Sequence, residues 1–182
     1  MSVFSKFIPP ARRGEKSVER GRAAEMRGDF AAAEAHFRTA AEAFDAHLAR
    51  RTRRGGAVRP SHRVLAGIAY TRIGRNQDAL DVLGPVIEAG GIPDACLHAG
   101  YAAAKLGEAE KAARYWAAYP DWAEERILGR VLHEQAAALL RGAAPQAACE
   151  AVARAVLDQD RENARRRPMS RGRKQVPRNR GY

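Results

Sequence analysis

One glycine returns at intervals long enough for a pair of helices and decides most of what this chain can become. Gly28, Gly74, Gly107 and Gly142 each interrupt a stretch of helical periodicity. Set in register, their surroundings agree. Seven residues before them stand Gly21, Gly67, Gly100 and Gln135, and five after them Ala33, Ala79, Ala112 and Ala147. Nine after come Phe37, Leu83, Trp116 and Ala151, and twelve after come Ala40, Val86, Tyr119 and Arg154. Small residues thus fall where two helices of a hairpin must touch, and large apolar ones where the second helix covers its neighbours. Aromatics are only 7% of the chain and Ala supplies much of its apolar content, so the core must come from close packing of small side chains. That favours stacked helices over a sheet, because Ala is the best helix former and a weak strand former.

The remaining punctuation sets the element boundaries. Residues 1–14, with Pro9, Pro10 and Gly14, read as an extended arm. Two helices are expected from Ser17 to about Arg50, parted at Gly28-Asp29, and an Arg/Gly-rich insertion covers about 50–60. Pro60 and Ser61 then sit where a new helix would start. Further helices are expected over Ser61–Ile73, Gln77–Glu88, Pro93–Leu106, onward to about Tyr119, Trp122–Leu140 and Pro145–Arg165. Trp116 and Trp122 flank the Tyr119-Pro120-Asp121 turn and are expected to staple adjacent hairpins. Residues 166–182, almost without apolar side chains, read as a disordered basic tail.

The stretch AGIAYTRIGRNQDALDVLGPVIEAG, carrying Gly67, Tyr70, Gly74, Ala79 and Leu83, resembles a unit of the tetratricopeptide repeat, a hairpin of ~34 residues. GDFAAAEAHFRTA and HAGYAAAKLGEAEKAARYW match it too, and a fourth, degenerate unit follows. The register glycines lie 46, 33 and 35 residues apart, so about a dozen residues are inserted between the first two units. The resemblance implies an all-α fold, a short right-handed superhelix of antiparallel hairpins over 15–165, with units at about 14–47, 60–92, 93–126 and 128–162. It also implies a concave face lined by the first helix of each unit. By family register that face receives Val18, Arg22 and Glu25, then Val64, Ile68, Thr71 and Arg72, then Leu97, Tyr101 and Lys105, and last Leu132 and Ala136.

Relatives that clamp a C-terminal carboxylate do so with Lys, Asn and Arg at fixed groove positions, which here hold Val18, Arg22, Leu65, Asp94 and His98. Only Arg22 suits the task, and Asp94 would repel the ligand. The expectation is instead a peptide with apolar anchors, seated in pockets of Val64, Ile68, Leu97 and Tyr101, with Arg72 and Lys105 orienting acidic groups. The chain so read is a non-catalytic protein-protein interaction module, a scaffold or chaperone-like adaptor. A terminal helix, or the arm around Phe4, Phe7 and Ile8, is the competing occupant of the groove.

Charge supplies the rival reading. Net charge is +11 overall, arranged as 14 basic against 7 acidic side chains through Arg63, 9 against 13 from Val64 to Asp160, and 9 against 1 thereafter. Arg51, Arg53 and Arg54 in the insertion, with Arg165, Arg166, Arg167, Arg171, Arg173, Lys174, Arg178 and Arg180 in the tail, form a two-point basic surface suited to nucleic-acid phosphates. Arg outnumbers Lys 27 to 5, which a GC-rich genome would also produce.

Other chemistries find no footing in the pattern. Cys96 and Cys149 lack CxxC spacing and read as reduced core residues. His36, His47, His62, His98 and His133 show neither HExxH nor close His/Cys spacing, so neither metal nor cofactor is expected. There is no P-loop and no GxSxG. No apolar run reaches the ~18 residues of a membrane span, and no secretory signal opens the chain, so the expected location is the cytoplasm.

Overall fold

The computed structural model describes residues 8–90 and 92–166. Over these the chain is all-helical, with eight helices: α1 (Pro10–Met26), α2 (Phe30–Arg53), α3 (Pro60–Arg72), α4 (Asn76–Glu88), α5 (Pro93–Lys105), α6 (Ala109–Ala117), α7 (Arg126–Leu140) and α8 (Pro145–Arg166). Prolines open α1, α3, α5 and α8, where the missing N–H is no loss and the fixed φ suits a first turn. The register glycines close α1, α3, α5 and α7. All four have φ between 76° and 91°, the left-handed conformation that L side chains avoid. Each closes the same paired loop: Gly107 N–H donates to the Ala104 carbonyl and Glu108 N–H to that of Ala103, just as Gly28 reaches Glu25 and Asp29 reaches Ala24.

The hairpins are locked by notches without side chains. A Cβ on Gly21 would lie 2.8 Å from the Phe37 ring, one on Gly67 2.5 Å from Leu83, and one on Gly100 closer still to Trp116. Gly14 adds a second notch under Phe44 two turns before Gly21, so α1 and α2 run antiparallel. Trp116, fully buried in its notch, also donates its indole N–H to the Leu97 carbonyl at 3.2 Å. Glycine inside a helix costs about 0.5–1 kcal/mol against alanine. Burying a large aromatic removes enough surface to stabilise by about 4–6 kcal/mol at most, so the notch is strongly favoured.

Each helix packs on the next in sequence, and α1, α3 and α5 lie side by side. Between the first two hairpins, where the chain has its insertion, the link is polar. Arg75 donates to both carboxylate oxygens of Asp45 (2.7 and 3.2 Å), Tyr70 donates its hydroxyl to Asp45 at 2.6 Å, and the Arg75 guanidinium lies 4.4 Å from the Tyr70 ring centroid. This clasp ties α2 to α3 and to the start of α4.

Four expectations need correction. Residues 10–14 are the first turns of α1 and not an arm, because Pro10 can open a helix and Gly14 fits beneath Phe44. Helix α2 continues to Arg53, which narrows the irregular insertion to 54–59. Helix α7 starts at Arg126, since a turn closed by Ala123 N–H on the Pro120 carbonyl precedes it, and Trp122 is 70% exposed and staples nothing. The fourth unit is displaced by one residue. Its turn holds an extra alanine, so the Ala144 carbonyl accepts from Ala148 as that of Glu108 accepts from Ala112. The buried positions are therefore Ala148, Val152 and Ala155, while Ala147 and Arg154 face solvent.

Gly100→Ala should lower stability by about 1–3 kcal/mol in urea unfolding, the usual consequence of overpacking against a side chain that cannot yield. Gly84→Ala in α4, where nothing beyond the chain neighbours lies within 4 Å of the new methyl but Pro85 follows and disfavours a side chain in the helical conformation, should change it by less than about 1 kcal/mol in either direction. Equal effects of the two substitutions would refute the notch argument.

Candidate functional site

Helices α1, α3 and α5 bring the expected groove residues to one side of the molecule, but do not leave most of them open. Val18, Val64, Ile68, Leu97 and Leu132 are 0–7% exposed and belong to the core. The apolar pockets expected from them are filled by the protein itself, because the helices approach closely through their glycines and alanines. Leu132 departs further. Helix α8, not α7, packs beside α5, and Lys105 Nζ donates to Gln146 Oε1 at 3.3 Å while the Cys149 thiol faces the Tyr101 carbonyl at 4.0 Å. The folded-back α8 is held by Gln159, whose buried Oε1 accepts from the first free amides of α7, Ile127 and Leu128, at 3.0 and 3.3 Å. A terminal helix thus covers the α5 end of the face.

What stays accessible is charged. Arg22 of α1 reaches Asp94 at the start of α5 at 3.5 Å, and both side chains are about half exposed (47% and 49%). Arg72 of α3 pairs with Glu25 of α1 at 2.8 Å. Tyr101 is partly buried with the Lys105 ammonium 5.5 Å from its ring centroid. Behind this layer His98 is buried, and it forms no hydrogen bond with the other described residues. Burial, and then the positive charges of Arg72 and Arg22, push its imidazole well below its ordinary pKa and hold it neutral.

Sequence spacing missed a second constellation. His47 and His62, on either side of the insertion, are 3.0 Å apart between His62 Nδ1 and His47 Nε2, and Glu15 Oε1 sits 3.1 Å from His62 Nε2. With Arg51 and Arg59 the two imidazoles line a cleft of about 280 Å³. Arg51 is fixed there by donating twice to the Ala57 carbonyl, at 3.0 and 2.7 Å. The only signal in the sequence was a histidine on each side of a run of arginines, which does not by itself place them together.

Of the other basic positions, Arg53 and Arg54 are exposed, Arg165 and Arg166 lie exposed in the last turn of α8, and Arg166 pairs with Glu162 at 2.8 Å. Arg167, Arg171, Arg173, Lys174, Arg178 and Arg180, like Phe4 and Phe7, lie outside the described residues. Cys96 and Cys149 are buried thiols, their pKa raised chiefly by burial. Among the described residues no group of three or more His, Cys, Asp and Glu side chains could hold a metal ion, and no helix is long and apolar enough to cross a membrane. No protein-family model matches the chain, and no curated protein or solved structure matches it either.

Because His98 takes up a proton in the unfolded chain near its ordinary value of 6.5 and resists it when folded, its contribution is complete above that pH. It is lost as pH falls below it, by at most about 1.4 kcal/mol per pH unit. His98→Asn should flatten the pH dependence of unfolding free energy between pH 7 and 5 relative to the unsubstituted protein. Parallel curves would show that His98 is not held neutral.

Proposed function

We propose that this chain is a non-catalytic helical-repeat module of the tetratricopeptide type, a scaffold or chaperone-like adaptor that binds a segment of another protein across α1, α3 and α5. The observation that carries the reading is the Arg22–Asp94 pair. It bridges α1 to α5 across the intervening helix while both partners remain half exposed. An exposed pair of this kind contributes at most about 1 kcal/mol, so an incoming client can exchange its own charges for either partner at little cost. Arg72, Glu25, Tyr101 and Lys105 extend the same row. The hairpin notches and the shared turn of the register glycines support a right-handed stack of repeats. The client is therefore one of mixed charge with a contact on Tyr101, held by a polar face and not by deep apolar pockets.

The test must spare the core, which rules out acidic substitutions at Ile68. Crosslinking in cells of the unsubstituted chain, an Arg22→Glu/Arg72→Glu variant and a chain ended after Arg166 would separate the contributions. Client capture should survive the truncation and fall at least tenfold in the double variant. Capture that persists in the double variant and disappears with the truncation would assign binding to the tail and overturn the reading.

A further inference from the structure

Three side chains from three helices form one hydrogen-bonded row at the joint between the first two hairpins. Glu15 Oε1 of α1 lies 3.1 Å from His62 Nε2 of α3, and His62 Nδ1 lies 3.0 Å from His47 Nε2 of α2. The row crosses the insertion, so it ties α2 to the first turn of α3 and both to α1.

An ionised carboxylate only accepts, and this fixes the protons along the row. His62 Nε2 donates to Glu15, so the Nδ1 of a neutral His62 is bare and accepts from the N–H at His47 Nε2. His47 Nδ1 takes no part in the row. One added proton can settle there without disturbing either hydrogen bond. A second would have to sit on His62 Nδ1, against the His47 N–H at 3.0 Å. The His62 side chain is only 13% exposed, so water cannot come between the two opposed N–H groups unless the helices move.

Charge sets the same limit. One imidazolium neutralises Glu15, whereas a second leaves the row positive beside Arg50 and Arg51 of α2 and Arg59 at the N-cap of α3. Burial first, then His62, Arg51 and Arg50, hold the pKa of His47 below its ordinary 6.5, while Glu15 opposes that shift. The other link between these hairpins is built to outlast the row in acid. Tyr70 lies about two turns beyond His62 on α3. Burial disfavours the Asp45 carboxylate there, but hydrogen bonds from Arg75 and Tyr70 outweigh it and hold the carboxyl below its ordinary range, so the clasp keeps its charge where the histidines lose their contact.

We propose that Glu15, His62 and His47 form a proton-operated latch between the first two hairpins. It is closed while the imidazoles carry at most one added proton, and it opens once both are charged. The ends of α2 and α3 beside the insertion then part while the Asp45–Tyr70–Arg75 clasp holds. The sign follows from His47, which takes a proton near 6.5 in the unfolded chain and resists it when folded. The closed latch therefore contributes fully above that pH and is lost as pH falls below it.

Two measurements on the full chain test this. In a pH titration followed by NMR, the ring resonances of His47 and His62 should each report the same two steps, as coupled groups do. Hydrogen–deuterium exchange of 44–53 and 60–68, corrected for intrinsic rates and read against 97–117, should show opening that grows by about tenfold per pH unit below 6.5, the dependence expected for uptake of one proton. His47→Gln should abolish that growth, because its amide can turn either an N–H or an oxygen toward His62. Two histidines that titrate in single, independent steps would overturn the proposal, whether or not the variant folds. So would an opening with the same pH dependence in His47→Gln as in the unsubstituted chain, or one that spreads equally to 97–117, since acid would then loosen the whole molecule and not this joint.

Discussion

Everything in this molecule hangs on the close approach of two helices at a residue with no side chain. Gly21, Gly67 and Gly100 allow Phe37, Leu83 and Trp116 to enter the opposite helix surface, and the hairpins that result bring α1, α3 and α5 into contact. The glycines weaken their helices individually, but the burial they permit is several times larger. A chain so rich in alanine needs such fixed contacts, because alanine surfaces slide past one another with little preference for a particular register. The partners also differ widely in volume, from leucine to tryptophan.

The same closeness accounts for the face described above. Helices that approach through small residues leave no room between them for apolar pockets, so Val18, Val64, Ile68 and Leu97 become interior. Surface chemistry is left to longer side chains that reach out over this floor, chiefly Arg22, Arg72 and Lys105. His98 marks the boundary between the two layers. It is a polar group kept neutral because it lies under arginines that water and carboxylates can reach.

Much of the fold was legible because glycine and proline leave strong marks. The four register glycines do share one backbone conformation, and Pro60, Pro93 and Pro145 do open helices. The one-residue displacement of the fourth unit was hidden by its composition. In GAAPQAAC, the expected position (Ala147) and the true one (Ala148) both hold alanine, so neither alignment was penalised. The groove failed for a different reason. A helical period shows which residues face inward, and it is the same whether that side is covered by protein or left for a ligand. The folding back of α8 depends on Gln159 reaching the start of α7, a contact between residues 31 and 32 positions apart that no local pattern records. The meeting of His47 and His62 likewise required the insertion to close.

The clasp of Asp45, Tyr70 and Arg75 has a consequence for how such a chain can change over generations. It fixes the second hairpin on the first through residues that all lie outside the connecting segment 54–59. That segment is relieved of any duty to set the angle between the units, and its length is limited only by the need to span the gap. Each doubling of a flexible loop adds only about 0.6 kcal/mol of closure entropy. The joint therefore works as a splice point, where new peptide can be taken up beside the two histidines without disturbing the helices on either side.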